Sequence, residues 1–405
     1  MFFVPLWFPT SSMSKWPTLL LLALAELLGM AVWFSASAVV PQLSALWNLG
    51  DSGRAWLTIS VQLGFVAGAL GSSIFNLADR VSARWLFAGC CLLAAASTAA
   101  IPAASSFAFI LLCRFLTGMF LAGVYPVGMK IMATWTKEDR GLAIGLLIAA
   151  LTLGSAFPHL LNAIGGVGDW RVVLLQTAAC AALGGLLAAL WINEGPYKSR
   201  TPPFRWQFAG EILRQRNVLL ANLGYLGHMW ELYAMWAWTP VFLLASFKIS
   251  GVSAAWAGLW SFAVIAAGGL GSLLAGRLAD LWGRPRLINA SLAISGTCCL
   301  AVGLFFGGPP APLVAVCLIW GFAVVADSAQ FSACVSEYAP QEYVGTALTL
   351  QTCLGFLLTS VTLRLIPTVE SVVGWRWAFA TLAIGPALGI WAISRLPKRN
   401  HGLNG

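Results

Sequence analysis

The chain has 405 residues, of which 59% are hydrophobic and 9% charged, and it carries a formal net charge of +9. Roughly a quarter of the residues of a soluble domain are charged, so this composition excludes a soluble globular enzyme or a disordered tail. Twenty Trp and 41 Gly add to the reading of a polytopic membrane protein, because Gly is common in membrane helices and Trp collects at membrane interfaces.

The first residues, MFFVPLWFPTSSMSKW, lack a charged region followed by an unbroken apolar run and read poorly as a signal peptide; Met13 is a second candidate start. A membrane helix needs about 20 mostly apolar residues. Twelve runs reach that length: 17–40, 55–78, 85–104, 106–133, 140–166, 171–193, 218–245, 253–279, 286–307, 312–335, 344–368 and 372–396. They are too long and too little alternating for barrel strands. The longest polar break, 194–217, holds a tandem proline and five cations and divides the runs six and six. The expected organisation is therefore a bundle over 1–193, a linker over 194–217 and a second bundle over 218–405. Seventeen Lys and Arg fall on the side of the linker and both termini, against five on the other. The positive-inside rule then places both termini in the cytoplasm of a bacterial-type plasma membrane. The basic balance is a topology signal, spread over short loops, and does not point to nucleic acid.

Nine cysteines show no metal-ligand spacing and read as packing residues. His159, His228 and His401 are too scattered for a metal site. No cofactor and no metal is expected, and neither a nucleophile–base motif nor a phosphate-binding glycine loop marks an enzyme.

Charges cluster in GRLADLWGRPR, 276–286, and more weakly in FNLADRVSARW, 75–85, with Asp79 lying 201 residues before Asp280. Both stretches follow the second run of a half. GMAVWFSASAVVP in the first run can likewise be laid on HMWELYAMWAWTP in the seventh, Pro41 on Pro240. Two halves with matching landmarks suit a transporter that rocks about a site between them.

At these residues the chain resembles the major facilitator superfamily (MFS). Gly276, Asp280, Gly283, Arg284 and Arg286 match its loop signature, and Arg114 and Gly118 in CRFLTG match its Arg-x-x-x-Gly. In the first-half copy Phe75 and Ser82 replace the glycines, while Asp79, Arg80 and Arg84 keep the charges. The resemblance implies twelve helices in two pseudo-symmetric bundles, with helices 1 and 4 side by side at a central cavity. Gly145, Gly154 and Pro158 resemble the antiporter signature of the fifth helix, but Phe157 stands where its last Gly belongs; close helix packing explains these glycines equally well. Asp79 and Asp280 sit where a carboxylate can face the N-terminus of helix 11 or 5 and hold a gate shut; solvated loop charges are the plainer reading.

Ionisable residues inside spans are costly and are functional candidates. Glu26 and Arg114 both lie about 12–14 Å deep at 1.5 Å per residue, so the resemblance implies that they meet, with Glu26 exchanging protons or the two forming a static pair. Glu231 and Asp327 are further coupling candidates. Trp33 and the seventh-run residues Tyr225, His228, Tyr233 and Trp236 are the candidate substrate lining, although aromatics in such a run also face lipid. The expected function is secondary active transport of a small organic solute by alternating access, coupled to protons, by a functional monomer. An anion permease of the nitrate or cyanate type, with Arg114 as the anion site, is the alternative. A non-transporting sensor of the same shape is a minor one.

Overall fold

A computed structural model describes residues 14–137, 139–164, 169–197 and 204–397, the side chains of Arg140 and Asp280 excepted. The described chain is helical with no strands; eleven helices are long and apolar enough to cross a membrane, and a first pass built of shorter pieces makes the twelfth. The protein is an integral membrane protein.

Pass α1 is built of three pieces, Lys15–Met30, Ser35–Ala38 and Val40–Trp47. Next come α2 (Asp51–Ile74), α3 (Ala83–Ala99) and α4, in two pieces, Phe107–Leu121 and Tyr125–Ala133. The first half closes with α5 (Arg140–Ile164) and α6 (Trp170–Trp191). The second half holds α7 (Arg216–Ile249), α8 (Ala254–Trp282), α9 (Arg284–Ala301) and α10, again in two pieces, Pro310–Ala326 and Ser328–Tyr338. It ends with α11 (Val344–Val373) and α12 (Trp375–Ala378, Phe379–Ala383 and Ile384–Ile393).

Prolines and glycines punctuate the passes in the expected sense. Proline opens the last piece of α1, the second piece of α4, and α9 and α10, where its missing N–H is not needed. Gly283 and Gly374, both at positive φ, end α8 and α11. The expected end of the first span at residue 40 is corrected: Pro41 starts a further piece of helix that runs to Trp47.

The two halves repeat one packing device. Gly118 of α4 lets the Val61 carbonyl of α2 approach so closely that a Cβ would overlap it, and Gly321 of α10 does the same for Val264 of α8, 203 residues further on. Gly68 against Met119 and Gly271 against Phe322 repeat the pattern at the same spacing. Lipid offers no hydrophobic drive between helices, so close backbone approach is what holds these pairs.

Between the halves, α5 packs along α8 and α2 along α11. Gly276 stands against the Gly141 carbonyl at one end of the α5–α8 pair and Gly258 against Ala163 at the other. Ser73 and Thr349 share a hydrogen bond of 2.9 Å between α2 and α11 on the cation-rich side.

Replacing Gly118 with Ala should push α4 off α2 and destabilise the fold by about 1–3 kcal/mol, as overpacking does. A lower thermal-unfolding midpoint in detergent checks this. Gly89→Ala, where an added methyl meets nothing within 4 Å, should not lower it.

Candidate functional site: an aromatic junction at the helix breaks

The breaks in α1, α4 and α10 fall within the membrane. In hydrocarbon every backbone polar group must find a partner, so irregular backbone survives there only where protein satisfies it. At residues 31–34 of α1 that partner is Arg114, which is fully buried. Its Nη1 donates to the Val32 carbonyl (2.9 Å) and to Ser35 Oγ (3.1 Å), and its Nη2 to the Trp33 carbonyl. Nε donates to the Leu57 carbonyl of α2 at 3.3 Å. One guanidinium thus closes the break in α1 and ties it to α2 and α4.

The expected Glu26–Arg114 pair is not formed. Side chains lean toward the N-terminus of their own helix, and α1 and α4 are antiparallel. Glu26 therefore leans toward the cation-rich side and Arg114 away from it. Glu26 instead lies against Gly128 of the second α4 piece, where a Cβ would come within 2.8 Å of its Oε2. Tyr125 and Cys91 are within electrostatic reach. Glu26 is fully buried, and neither carboxyl oxygen finds a hydrogen-bond partner among the described residues.

The α1 turn turns the rings of Trp33 and Phe34 toward the second half. Trp33 lies 5.1 Å from Phe65 of α2, 5.8 Å from Tyr233 of α7 and 5.6 Å from Phe356 of α11, centroid to centroid. Phe34 meets Tyr233 and Trp236, and Phe65 meets Phe356 at 4.4 Å. Of the predicted lining, Trp33, Tyr233 and Trp236 share this junction. Tyr225 and His228 form a second group with Phe331. There His228 Nδ1 stands 2.9 Å from Asp327 Oδ1, at the α10 break, and its Nε2 pairs with Ser328 Oγ at 3.1 Å. Phe34, Phe65 and Phe356 escaped the sequence reading, because single phenylalanines in apolar runs carry no mark of which face they occupy.

Glu231 is elsewhere. It does not stand among the α7 aromatics at the junction but faces α9 and α10, accepting from Ser295 Oγ (2.9 Å), Cys299 Sγ (3.2 Å) and Trp320 Nε1. Trp230 and Trp238 also point away, their indoles donating to the Thr381 and Leu363 carbonyls.

The loop signature divides. Asp79 pairs within its own half with Lys130 of α4, at 2.6 Å, and not across to α11; a full ammonium charge outweighs the partial charge of a helix end. Arg84 donates to Asn193 at 3.0 Å and Arg80 is exposed. Arg284 pairs with Glu337 of the same half. Gly276 is the close-approach point on α5 described above, and Gly283 forms the turn after α8. The Asp280 side chain lies outside the described residues. On the same side Lys15 Nζ reaches both oxygens of Asp139 at 2.6 Å, and this hydrogen bond holds the Asp139 carboxyl below its ordinary value.

The sequence profile of the Major Facilitator Superfamily matches residues 19–363 and 257–405, and the chain belongs to that family. It is 27% identical to the uncharacterized transporter YgaY of Escherichia coli O157:H7 over 56% of this chain and 58% of that protein. It is 26% identical to the 4-hydroxybenzoate transporter PcaK of Pseudomonas putida over 38% of this chain and 35% of that one. The matched region thus spans little more than half the length of the first and about a third of the second. In structure it resembles the proton:xylose symporter XylE with a TM-score of 0.71 at 17% identity, over 95% of this chain and 96% of that one, a likeness of fold.

Arg114→Ala should leave the Val32, Trp33 and Leu57 carbonyls without this donor. Each buried group so orphaned costs about 1–3 kcal/mol, so low yield and a strongly lowered unfolding midpoint are expected. Arg114→Lys, a point charge without the planar fork, should recover only part of the midpoint.

Proposed function

We propose that the protein is a secondary active transporter that moves a small organic solute by alternating access, with Glu26 coupling the movement to protons. One observation carries the reading: aromatic rings of both halves converge on one junction beside the break in α1. Sites at the interface of repeats, formed where helices are interrupted, are where such transporters hold their cargo. The names of PcaK and XylE, one an aromatic acid transporter and the other a sugar symporter, support an organic solute.

Glu26 suits coupling because no hydrogen-bond donor among the described residues meets its carboxyl. An ionised carboxylate without a donor is expensive to bury, so its charge depends on surroundings that rocking of the halves would change. Asp327, held by His228, is the second-half candidate. Glu231, held by three donors, reads as a pin between α7, α9 and α10. The anion-permease reading is weakened by Arg114, whose guanidinium is engaged by three carbonyls and a hydroxyl.

In this reading 1–193 and 218–405 are the rocking bodies, joined by 194–217, in a monomer with both termini in the cytoplasm of a plasma membrane. Asp280 follows Gly276 by one turn, and Gly276 stands against Gly141 in the first turn of α5. That register supports reading Asp280 as a cap on the N-terminus of α5 that holds the cytoplasmic side shut.

Two outcomes test this reading. Glu26→Gln should abolish solute movement driven by a pH gradient in proteoliposomes while solute binding persists; full gradient-driven uptake in that variant would sink the coupling role. Asp280→Asn removes a charge–dipole interaction of about 0.3–1 kcal/mol and should raise thiol labelling of a cysteine placed near Gly145 from the cytoplasmic side, in a background freed of native cysteines. Unchanged labelling with weakened binding would contradict a gate.

A further inference from the structure

Four buried side chains at the aromatic junction hold polar atoms that find no hydrogen-bond partner among the described residues. They are the indole N–H of Trp33, the indole N–H of Trp236, the Thr239 hydroxyl and both amide atoms of Gln62. All four residues are at most 1% exposed. Thr239 follows Trp236 by three residues on α7 and Gln62 precedes Phe65 by three on α2, so each shares a helix face with a ring of the junction. Buried polar groups are nearly always paired, and an unpaired indole N–H calls for an explanation. Two such donors, a hydroxyl and an amide around one set of rings are an explanation in themselves, since ligand sites are apolar and aromatic with a few converging polar groups.

The inventory restricts the ligand. An indole N–H can only donate, so the ligand must carry acceptors. Among the described residues the buried carboxylates lie elsewhere: Glu26 is two helical turns before Trp33 on the Gly128 side, Glu231 faces α9 and α10, and Asp327 pairs with His228 at the α10 break. A buried cation would find no counter-charge there. Among the described residues the buried cationic side chain at hand is Arg114, which already serves the α1 carbonyls, so an anion finds no free charge either. A sugar would bring more hydroxyls than four side chains can meet.

We infer that the junction binds an uncharged, planar aromatic solute bearing one or two hydrogen-bond acceptors of the carbonyl type, stacked among the rings and held by the Trp33 and Trp236 N–H groups. This assignment rests on the transporter reading for its purpose but is tested by binding alone.

Benzamide serves as the probe, with benzyltrimethylammonium and xylose as charged and polyhydroxylated comparisons, each titrated calorimetrically into the purified full-length protein. Benzamide should bind and the other two more weakly. Trp33→Phe and Trp236→Phe keep a ring and remove the N–H. Each should weaken benzamide about two- to tenfold, the range for one hydrogen bond, with unliganded unfolding midpoints close to the parent's. Absence of benzamide binding, indifference to both substitutions, or tighter binding of either comparison compound would overturn the assignment. Benzamide binding through the two indoles with no solute movement in vesicles would remove the transport reading and leave this site standing. Proton-driven transport indifferent to both substitutions would do the reverse.

Discussion

The structure depends on a guanidinium in the place of a missing helical turn. A helix that breaks inside a bilayer exposes carbonyls that hydrocarbon cannot satisfy, and Arg114 supplies donors to those of Val32 and Trp33. The break has a geometric use. In an intact helix consecutive side chains point about 100° apart, since 3.6 residues make a turn. In the turn at 31–34, consecutive residues Trp33 and Phe34 both bring rings within about 6 Å of Tyr233 across the interface. The arginine is thus a condition of the junction, although it contributes nothing to its lining.

The halves share a frame and divide the chemistry. The glycine contacts of α2 with α4 recur in α8 with α10 at a spacing of 203 residues. Within that frame Glu26 opposes Gly128 where Tyr225 opposes Phe331, and Gly29 opposes Val124 where His228 opposes Asp327. At these matched crossings of first and fourth pass each half therefore buries a carboxyl, in different company: Glu26 without a donor among the described residues, Asp327 with an imidazole. Small residues set where the helices cross, and what stands beside the crossing was free to diverge.

Much of this was legible in the sequence. Composition gave the twelve passes, because a bilayer fixes helix length, and the loop glycines and charges gave the repeat. The pairing of Glu26 with Arg114 was not legible: counting residues from either membrane face estimates the depth of a Cα but not the direction in which antiparallel helices send their side chains. The surroundings of Glu231 were not legible for another reason. The α7 segment is apolar and aromatic on every side, so its sequence has no periodic face to say whether position 231 looks at the other half or at α9 and α10. The α1 break had no proline at 31–34 to announce it; its signal was the buried Arg114 on another helix, which needed acceptors that an unbroken helix does not offer.

Strong and weak contacts are distributed as a rocking mechanism requires. The charged pairs of the loop signature, Asp79 with Lys130 and Arg284 with Glu337, stay within their halves, as does the Glu231 cluster. Among the described residues the contacts between halves include small-residue approaches along α5 and α8, the Ser73–Thr349 and Ser272–Gly145 hydrogen bonds and the stacked rings at the centre. A neutral hydrogen bond contributes about 0.5–1.5 kcal/mol net and an aromatic pair a similar amount beyond its burial, so no contact of this kind locks the interface by itself. Each half is pinned internally by its more expensive buried and charged groups, while the described contacts between them are mostly neutral and can part at one end and re-form. In the proposed reading the rings at the centre are the exception: parting them would expose aromatic surface and two indole donors, and a solute that replaced those contacts would lower the cost of the change.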